Sequence, residues 1–264
     1  MKWSNFYRDM TDRNIGVISV EEQERLRNTC IVVTGCGGMG GLSAAQLVRL
    51  GVGHVKIADF DNFEVHNLSR QCGSTASNVG KKKTEVLAKY FREINPELRL
   101  DVFEDGIKPK NVEDFVKGAA IVIDGMDYSD LRNQIALHKA ARKNNLCVIS
   151  PNAIGFGVNV FVFGPKTIPI EKYLDLSIKT LFAPEEAMKK LMPYVPSYAD
   201  PKIVEKASRG KINIPNIVMP QHLGTSISVS EAVMMILGKV SPPAGPDPRI
   251  FILDLFDRKF EVTG

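Results

Sequence analysis

Between an apolar run, Cys30-Ile-Val-Val-Thr34, and a stretch of helical periodicity lies Gly35-Cys-Gly-Gly-Met-Gly-Gly41. Gly35, Gly37 and Gly40 fit G-x-G-x-x-G, with Gly38 inside the loop. Such a loop lets backbone N–H groups approach phosphate at the positive end of the following helix. By itself it fits NAD, FAD, ATP or a plain tight turn. Asp59 closes the next apolar run, His54-Val-Lys-Ile-Ala58, where an acid accepts hydrogen bonds from ribose hydroxyls. To this point a dinucleotide-dependent oxidoreductase would be the natural reading.

The residues after Asp59 favour a triphosphate. Asp59-Phe-Asp-Asn-Phe-Glu-Val-His-Asn-Leu-Ser-Arg-Gln71 runs on, across a loop, to Val79-Gly-Lys-Lys-Lys83. Arg70 and Lys83 can neutralise phosphates, the guanidinium through a planar fork that meets two oxygens. Further on, Ile121-Val-Ile-Asp-Gly-Met-Asp127 sets two acids at and just past a strand end. Asp127 suits Mg²⁺ held between phosphates. Asp124 reads as a strand-end residue, and Asp61 as a turn or capping acid as readily as a ligand. Lys83 has the alternative of being one of three solvated lysines. Cys72 reads as an inert loop thiol before it reads as a nucleophile, and His66 and His138 as surface or packing residues.

These groups need elements to hold them. Charged helical residues Glu21–Asn28 lead into the strand at Cys30–Thr34, and Leu42–Leu50 continue from the glycine loop as a helix. Strand, glycine loop, helix and strand together open a nucleotide-binding α/β fold. An amphipathic helix over Gly80–Ile94 follows, then a strand at Leu98–Phe103, a short helix at Val112–Val116 and a buried strand at Ala119–Ile123. A helix at Leu131–Asn144 and a strand at Cys147–Ser150 complete an alternation that argues for a mostly parallel sheet. The second half differs. Val158–Phe163 is a strand, but eight prolines then punctuate Pro165–Pro220, with a short helical piece at Glu185–Leu191. That stretch reads as an excursion from the sheet. A return helix at Leu223–Leu237 and a hairpin, Ile250–Phe256 with Lys259–Val262 turning at Asp257-Arg258, close the chain.

Composition bounds the rest. The 44% hydrophobic and 24% charged content suits a globular protein with a real core. Near the N-terminus Arg8, Asp9, Asp12 and Arg13 interrupt any signal-peptide core, and no apolar run is long enough for a bilayer, so a cytoplasmic location is expected. The net charge of +4 permits an acidic partner or RNA without demanding one. Nucleic acid is not indicated, and tRNA stays open. The four cysteines, Cys30, Cys36, Cys72 and Cys147, make no CxxC pair, so no zinc site is expected.

Taken in order, several of these pieces resemble the ThiF/MoeB family, relatives of the ubiquitin-activating enzymes. The matching segments are the Gly35–Gly41 loop, Asp59-Phe-Asp61, Asn67-Leu-Ser-Arg-Gln71, Lys83, and Asp127 with Arg132-Asn133-Gln134. Asp12-Arg-Asn-Ile-Gly16 is similar to the family's short arginine motif. The resemblance implies a Rossmann-like, mostly parallel sheet with helices on both faces and antiparallel strands at its C-terminal end. It implies an N-terminal helical arm over residues 1–28 carrying a dimer-contact arginine. The remaining residues, 29–264, would form a single adenylation domain with the proline-rich excursion at about 165–220.

The implied reaction is attack of a carboxylate on the α-phosphate of ATP, with Mg²⁺, giving acyl-AMP and pyrophosphate. Gly38 would lie against the α-phosphate region and Asp59 would bind ribose, with Asp61 among the nucleotide-binding candidates. Asn67, Arg70 and Lys83 would hold the triphosphate, Asp127 would bind Mg²⁺ and organise attack, and Arg13 would reach the γ-phosphate of the neighbouring subunit of a homodimer. Many members carry two CxxC pairs and a later cysteine that takes over the acyl group. No cysteine follows Cys147 here, so a thioester or persulfide step is not expected. The substrate reads as the C-terminus of a small ubiquitin-like sulfur carrier or a peptide. Alternatives are a small-molecule or tRNA-borne carboxylate, as in the threonylcarbamoyl-adenosine dehydratases, or a nucleotide-binding module without turnover.

Overall fold

A computed structural model describes residues 3–127, 130–175, 187, 190–209, 211–212 and 214–264. Alternating strands and helices build one eight-stranded sheet between two helical layers. The strands are β1 (Cys30–Thr34), β2 (His54–Ala58), β3 (Arg99–Phe103), β4 (Ile121–Asp124), β5 (Val148–Ile154), β6 (Gly157–Phe163), β7 (Arg249–Asp254) and β8 (Lys259–Thr263), in the order β3-β2-β1-β4-β5-β6-β7-β8. β1 to β5 run parallel, and β6 to β8 continue antiparallel. The expected fold class is the observed one.

Strand order reverses between β1 and β4. Chain direction leaves β1 toward β2 and β3 on one side, then returns to β4 on the other. At such a switch point the connecting loops diverge and open a crevice beyond the carboxyl ends of the strands. Burial follows the two-residue period of a strand covered on both faces. Ile31, Val33 and Ile123 point into one core, with Leu47 of α3 (Gly38–Arg49) and Leu87 of α4 (Lys83–Ile94). Val32 and Val122 point into the other, with Phe115 of α5 (Val112–Val116) and Leu137 of α6 (Leu131–Lys143). The return helix, Val218–Ile236, lies over β5 and β6 and against α3.

One boundary moves from expectation for a physical reason. The return helix starts at Val218, and Pro220 sits in its first turn, where a missing N–H costs little. The N-terminal helical arm consists of two helices, α1 (Asn5–Thr11), which Ser4 caps by accepting from Tyr7 N at 2.9 Å, and the charged helix α2 (Val20–Arg27). Tyr7, 1% exposed, is a core residue. Its hydroxyl donates to Gly51 O at 2.7 Å and accepts from Gln23 Nε2 at 2.8 Å, fixing the arm to the end of α3.

In the proline-rich stretch, α7 (Ile170–Tyr173) and a helix at Pro201–Ser208 are seen. Most of the helical piece expected at Glu185–Leu191 lies outside the described residues. Asp257, in the β7–β8 turn, accepts from Ser197 N at 2.9 Å, and Asp254 from the Tyr198 hydroxyl at 2.9 Å, so this stretch is tied back to the sheet end. Among the described residues no helix is long and apolar enough to cross a membrane.

Tyr7→Phe keeps the ring and strips the shared hydroxyl, leaving Gly51 O with one partner fewer. Thermal unfolding should register a loss of about 1–2 kcal/mol.

Candidate functional site

The glycine loop is shaped by backbone contact. Gly35 has φ +75°, and a Cβ there would stand 2.3 Å from Gly125 O. A Cβ on Gly40 would stand 1.8 Å from Gly35 O. Neither position admits a side chain, so the loop folds tightly between β1 and the turn after β4. α3 then starts at Gly38 with Gly37 as its cap residue and no side-chain cap. Its first-turn N–H groups are left for an anion to satisfy. Two amide side chains flank the loop, Gln71 half-buried and Gln221 buried. Gln71 Nε2 lies 3.4 Å from the position of a Cβ on Gly37, and Gln221 of the return helix crowds the corresponding position on Gly38.

Asp59 follows β2 and turns back onto the loop. Its Oδ2 accepts from Cys36 N at 2.5 Å and its Oδ1 from Asp61 N at 2.7 Å. Burial raises its carboxyl above the ordinary carboxylate range, while nearby Lys83 and the N–H groups of Asp61 and Cys36 pull it down. Lys83, the first residue of α4, is buried, and its Nζ meets Asp61 Oδ2 at 2.9 Å, with the lysine side chain 7% and the aspartate 50% exposed. This burial removes the reading of Lys83 as a solvated lysine. Backbone bonds from Phe63 N to Lys81 O and from Lys83 N to Asp61 O zip the two loop arms together and fix the ammonium beside the two acids.

The other expected residues divide. Asn67 is buried, and its Oδ1 accepts from Glu64 N at 2.9 Å, so it holds the turn that carries Arg70. Arg70 is half-buried and donates one Nη to His66 O at 2.9 Å. Asp127 is exposed, three residues past β4. Gly35, Gly37, Gly38, Gly40, Asp59, Asp61 and Lys83 come together directly at the carboxyl end of the sheet. Arg13 does not join them. It is exposed on the turn Asp12–Asn14, and the neighbouring Asn14 donates to Leu50 O at 3.2 Å, at the far end of α3. Twelve helical residues span about 18 Å, so within one chain Arg13 sits well away from the loop.

Beside Asp59 a cleft of about 600 Å³ opens beyond β2, β3 and β4, lined by Phe60, Lys82, Glu104, Ile107 and Asn133 among others. Phe60, Lys82 and Asn133 fall within the quoted runs but were not singled out as site residues, nor were Glu104 and Ile107, because the lining combines the loops after β2 and β3 with the first turn of α6 and carries no shared spacing. Gln221 was missed for the same reason. The thiols are unreactive by environment: burial pushes Cys72 and Cys147 up to about 11, and Cys36 well above its usual value.

A Gly-rich turn on an uncapped helix, a half-buried acid at the second strand end and a fixed lysine all lie at the sheet's switch point. This arrangement agrees with the comparison to known proteins, in which the ThiF family pattern matches residues 11–261. The chain belongs to the ThiF family. It is 36% identical over 126 residues to the tRNA threonylcarbamoyladenosine dehydratase of Escherichia coli, which covers 47% of this chain and 46% of that one. To the sulfur carrier protein ThiS adenylyltransferase of the same organism it is 28% identical over 148 residues, 56% and 58% of the two chains. The chain thus spans about half the length of the curated relatives it matches. The crystal structure of the E. coli dehydratase in complex with ATP superposes with a TM-score of 0.65 at 25% identity, over 90% of this chain and 98% of that one. PaaA superposes with a TM-score of 0.72 over 99% of this chain and 74% of that one, at an identity of 18% that speaks for the fold alone.

Two outcomes test this geometry. Gly40→Ala forces a Cβ onto backbone and should cost about 3 kcal/mol or more in thermal unfolding, whereas Gly37→Ala meets only the tip of Gln71 and should cost about 1 kcal/mol or less. The second concerns Asp59. Its folded pKa lies above the model-peptide value of 3.8, so its contribution to stability is full below that pH and is lost as pH rises through the folded value. Asp59→Asn should therefore gain on the wild type in melting temperature between pH 4 and 7, while binding ATP more weakly.

Proposed function

We propose that this protein activates a carboxylate by adenylation. The carboxylate oxygen attacks the α-phosphorus of ATP, the bond to the bridging oxygen of the β-phosphate breaks, and pyrophosphate leaves with that electron pair. A carboxylate is already a nucleophile, so the protein's work is positioning and charge neutralisation. The observation that carries this reading is Lys83, a buried ammonium held against Asp61 at the mouth of the glycine loop. A fixed cation there suits a polyphosphate and has no use in hydride transfer to a nicotinamide. Asp59 would take the ribose hydroxyls, the N–H groups at Gly38 the α-phosphate, and Arg70 with Lys83 the leaving pyrophosphate.

Mg²⁺ fits the residues present. Among the described residues no group of three or more metal-ligating side chains exists, but Mg²⁺ is ordinarily held by one or two carboxylates together with substrate phosphates. Asp127 would be that carboxylate, and the ion would supply charge neutralisation across the phosphates. Arg13, exposed and remote from the loop of its own chain, is the residue a second copy would lend, which supports a homodimer. The four thiols, in which burial disfavours the thiolate, and the absence of cysteine after Cys147 support release or external capture of the adenylate, with no thioester on the enzyme.

Two substrate classes follow from the relatives. The likeness to the ThiS adenylyltransferase favours the C-terminus of a small ubiquitin-like carrier, and that to the dehydratase favours a carboxylate borne on tRNA. Exchange of labelled pyrophosphate into ATP, run with each carboxylate in turn, separates them. Asp127→Ala and Arg70→Ala should each lower the exchange rate about 100-fold or more. Calorimetry that finds NAD bound in preference to Mg²⁺–ATP would sink the proposal.

A further inference from the structure

One buried carboxyl group connects parts of the site that lie far apart in sequence. Asp124, the last residue of β4, is 2% exposed and accepts five hydrogen bonds. Its Oδ1 takes Thr34 Oγ1 and Met126 N, each at 3.1 Å. Its Oδ2 takes Gln134 Nε2 at 2.8 Å, His138 Nε2 at 3.2 Å and Ser150 Oγ at 3.5 Å. The donors come from β1, the turn after β4, α6 and β5. Thr34 is the residue before Gly35, and Met126 is the residue before Asp127. Asp124 is thus bonded to the neighbour of both segments that would face the triphosphate.

Ending a strand does not require this much. Gln134 and His138 stand four apart on one face of α6, beside Leu137 and Ala141 of the apolar core, where an aliphatic residue would be buried without desolvating a polar group. Gln134 Oε1 is buried there with no hydrogen-bond partner among the described residues, a cost that packing does not explain. His138 is held from its other side by an edge-to-face contact with Phe163.

We propose that Asp124 is a positioning residue for the adenylation reaction. With Thr34, Gln134 and His138 it sets the separation of the glycine loop from the segment carrying Asp127, so that phosphates bound by one are presented in register to the other. Asp124 acts through these two segments, since its oxygens are already occupied by donors from the protein. The inference rests on the adenylation reading above.

Thr34→Val is nearly isosteric and removes only the hydroxyl tie from β1, while Thr34→Ser restores it. Thermal unfolding, calorimetry with AMP and with Mg²⁺–ATP, and pyrophosphate exchange are measured on each variant. The valine variant should melt within a few degrees of the wild type and bind AMP within about twofold, yet lose about tenfold in exchange kcat, and the serine variant should recover most of that loss. His138→Leu, acting from α6, should show the same separation of AMP affinity from kcat, and it stands in if the valine variant fails to fold. Equal losses of AMP and ATP affinity, or an unchanged kcat, would mean that Asp124 only ends its strand and would overturn the proposal. Failure of the wild type to bind Mg²⁺–ATP would overturn the adenylation reading as well, and is visible before any variant is compared.

Discussion

Backbone meets backbone at the head of β1, and the rest of the site depends on that contact. Gly35 and Gly40 of the loop and Gly125 after β4 pack with no side chain between them, and a Cβ on Gly125 would stand 2.8 Å from Gly40 N. Because the loop is this tight, α3 begins immediately beyond it and points its uncapped N–H groups over the carboxyl edge of the sheet. The approach is possible only because β1 and β4 are neighbours, and they are neighbours because strand order reverses there.

Around this contact the charges are arranged by local turns. Asp59 is bonded to the loop through Cys36 N, and Lys83 is fixed to Asp61 by loop arms zipped through Phe63. Each ionisable group is therefore placed by a neighbour that is itself held by the backbone, which keeps the entropic cost of ordering a ligand low. The opposite end of α3 carries the N-terminal arm, through Tyr7 and Gly51. That arrangement leaves Arg13 exposed near the end of α3 remote from the glycine loop.

Much of the site was legible in the sequence because its motifs are local. The glycine spacing, Asp59 at a strand end and the Asn67–Gln71 run each depend on neighbours a few residues away, so linear order records them. Asn67 shows the limit of such reading. Its place in the motif was visible, but its amide oxygen accepts from Glu64 N, a bond that only the folded turn creates. Lys83 moved the other way, from one of three equivalent lysines to a buried ammonium, because α4 starts at that residue and turns Lys81 and Lys82 outward.

The sequence by itself determined the fold class, the family resemblance and the candidates for phosphate and ribose contact, since hydrophobic period and motif spacing are short-range properties. Tertiary structure alone decided what Asp124 touches, that Gln221 of a helix more than 180 residues downstream covers Gly38, and that Arg13 lies exposed near the far end of α3 from the loop. Those facts depend on which strands become neighbours and on which helix face is covered. Burial and long-range packing set both, and neither leaves a periodic mark in the chain.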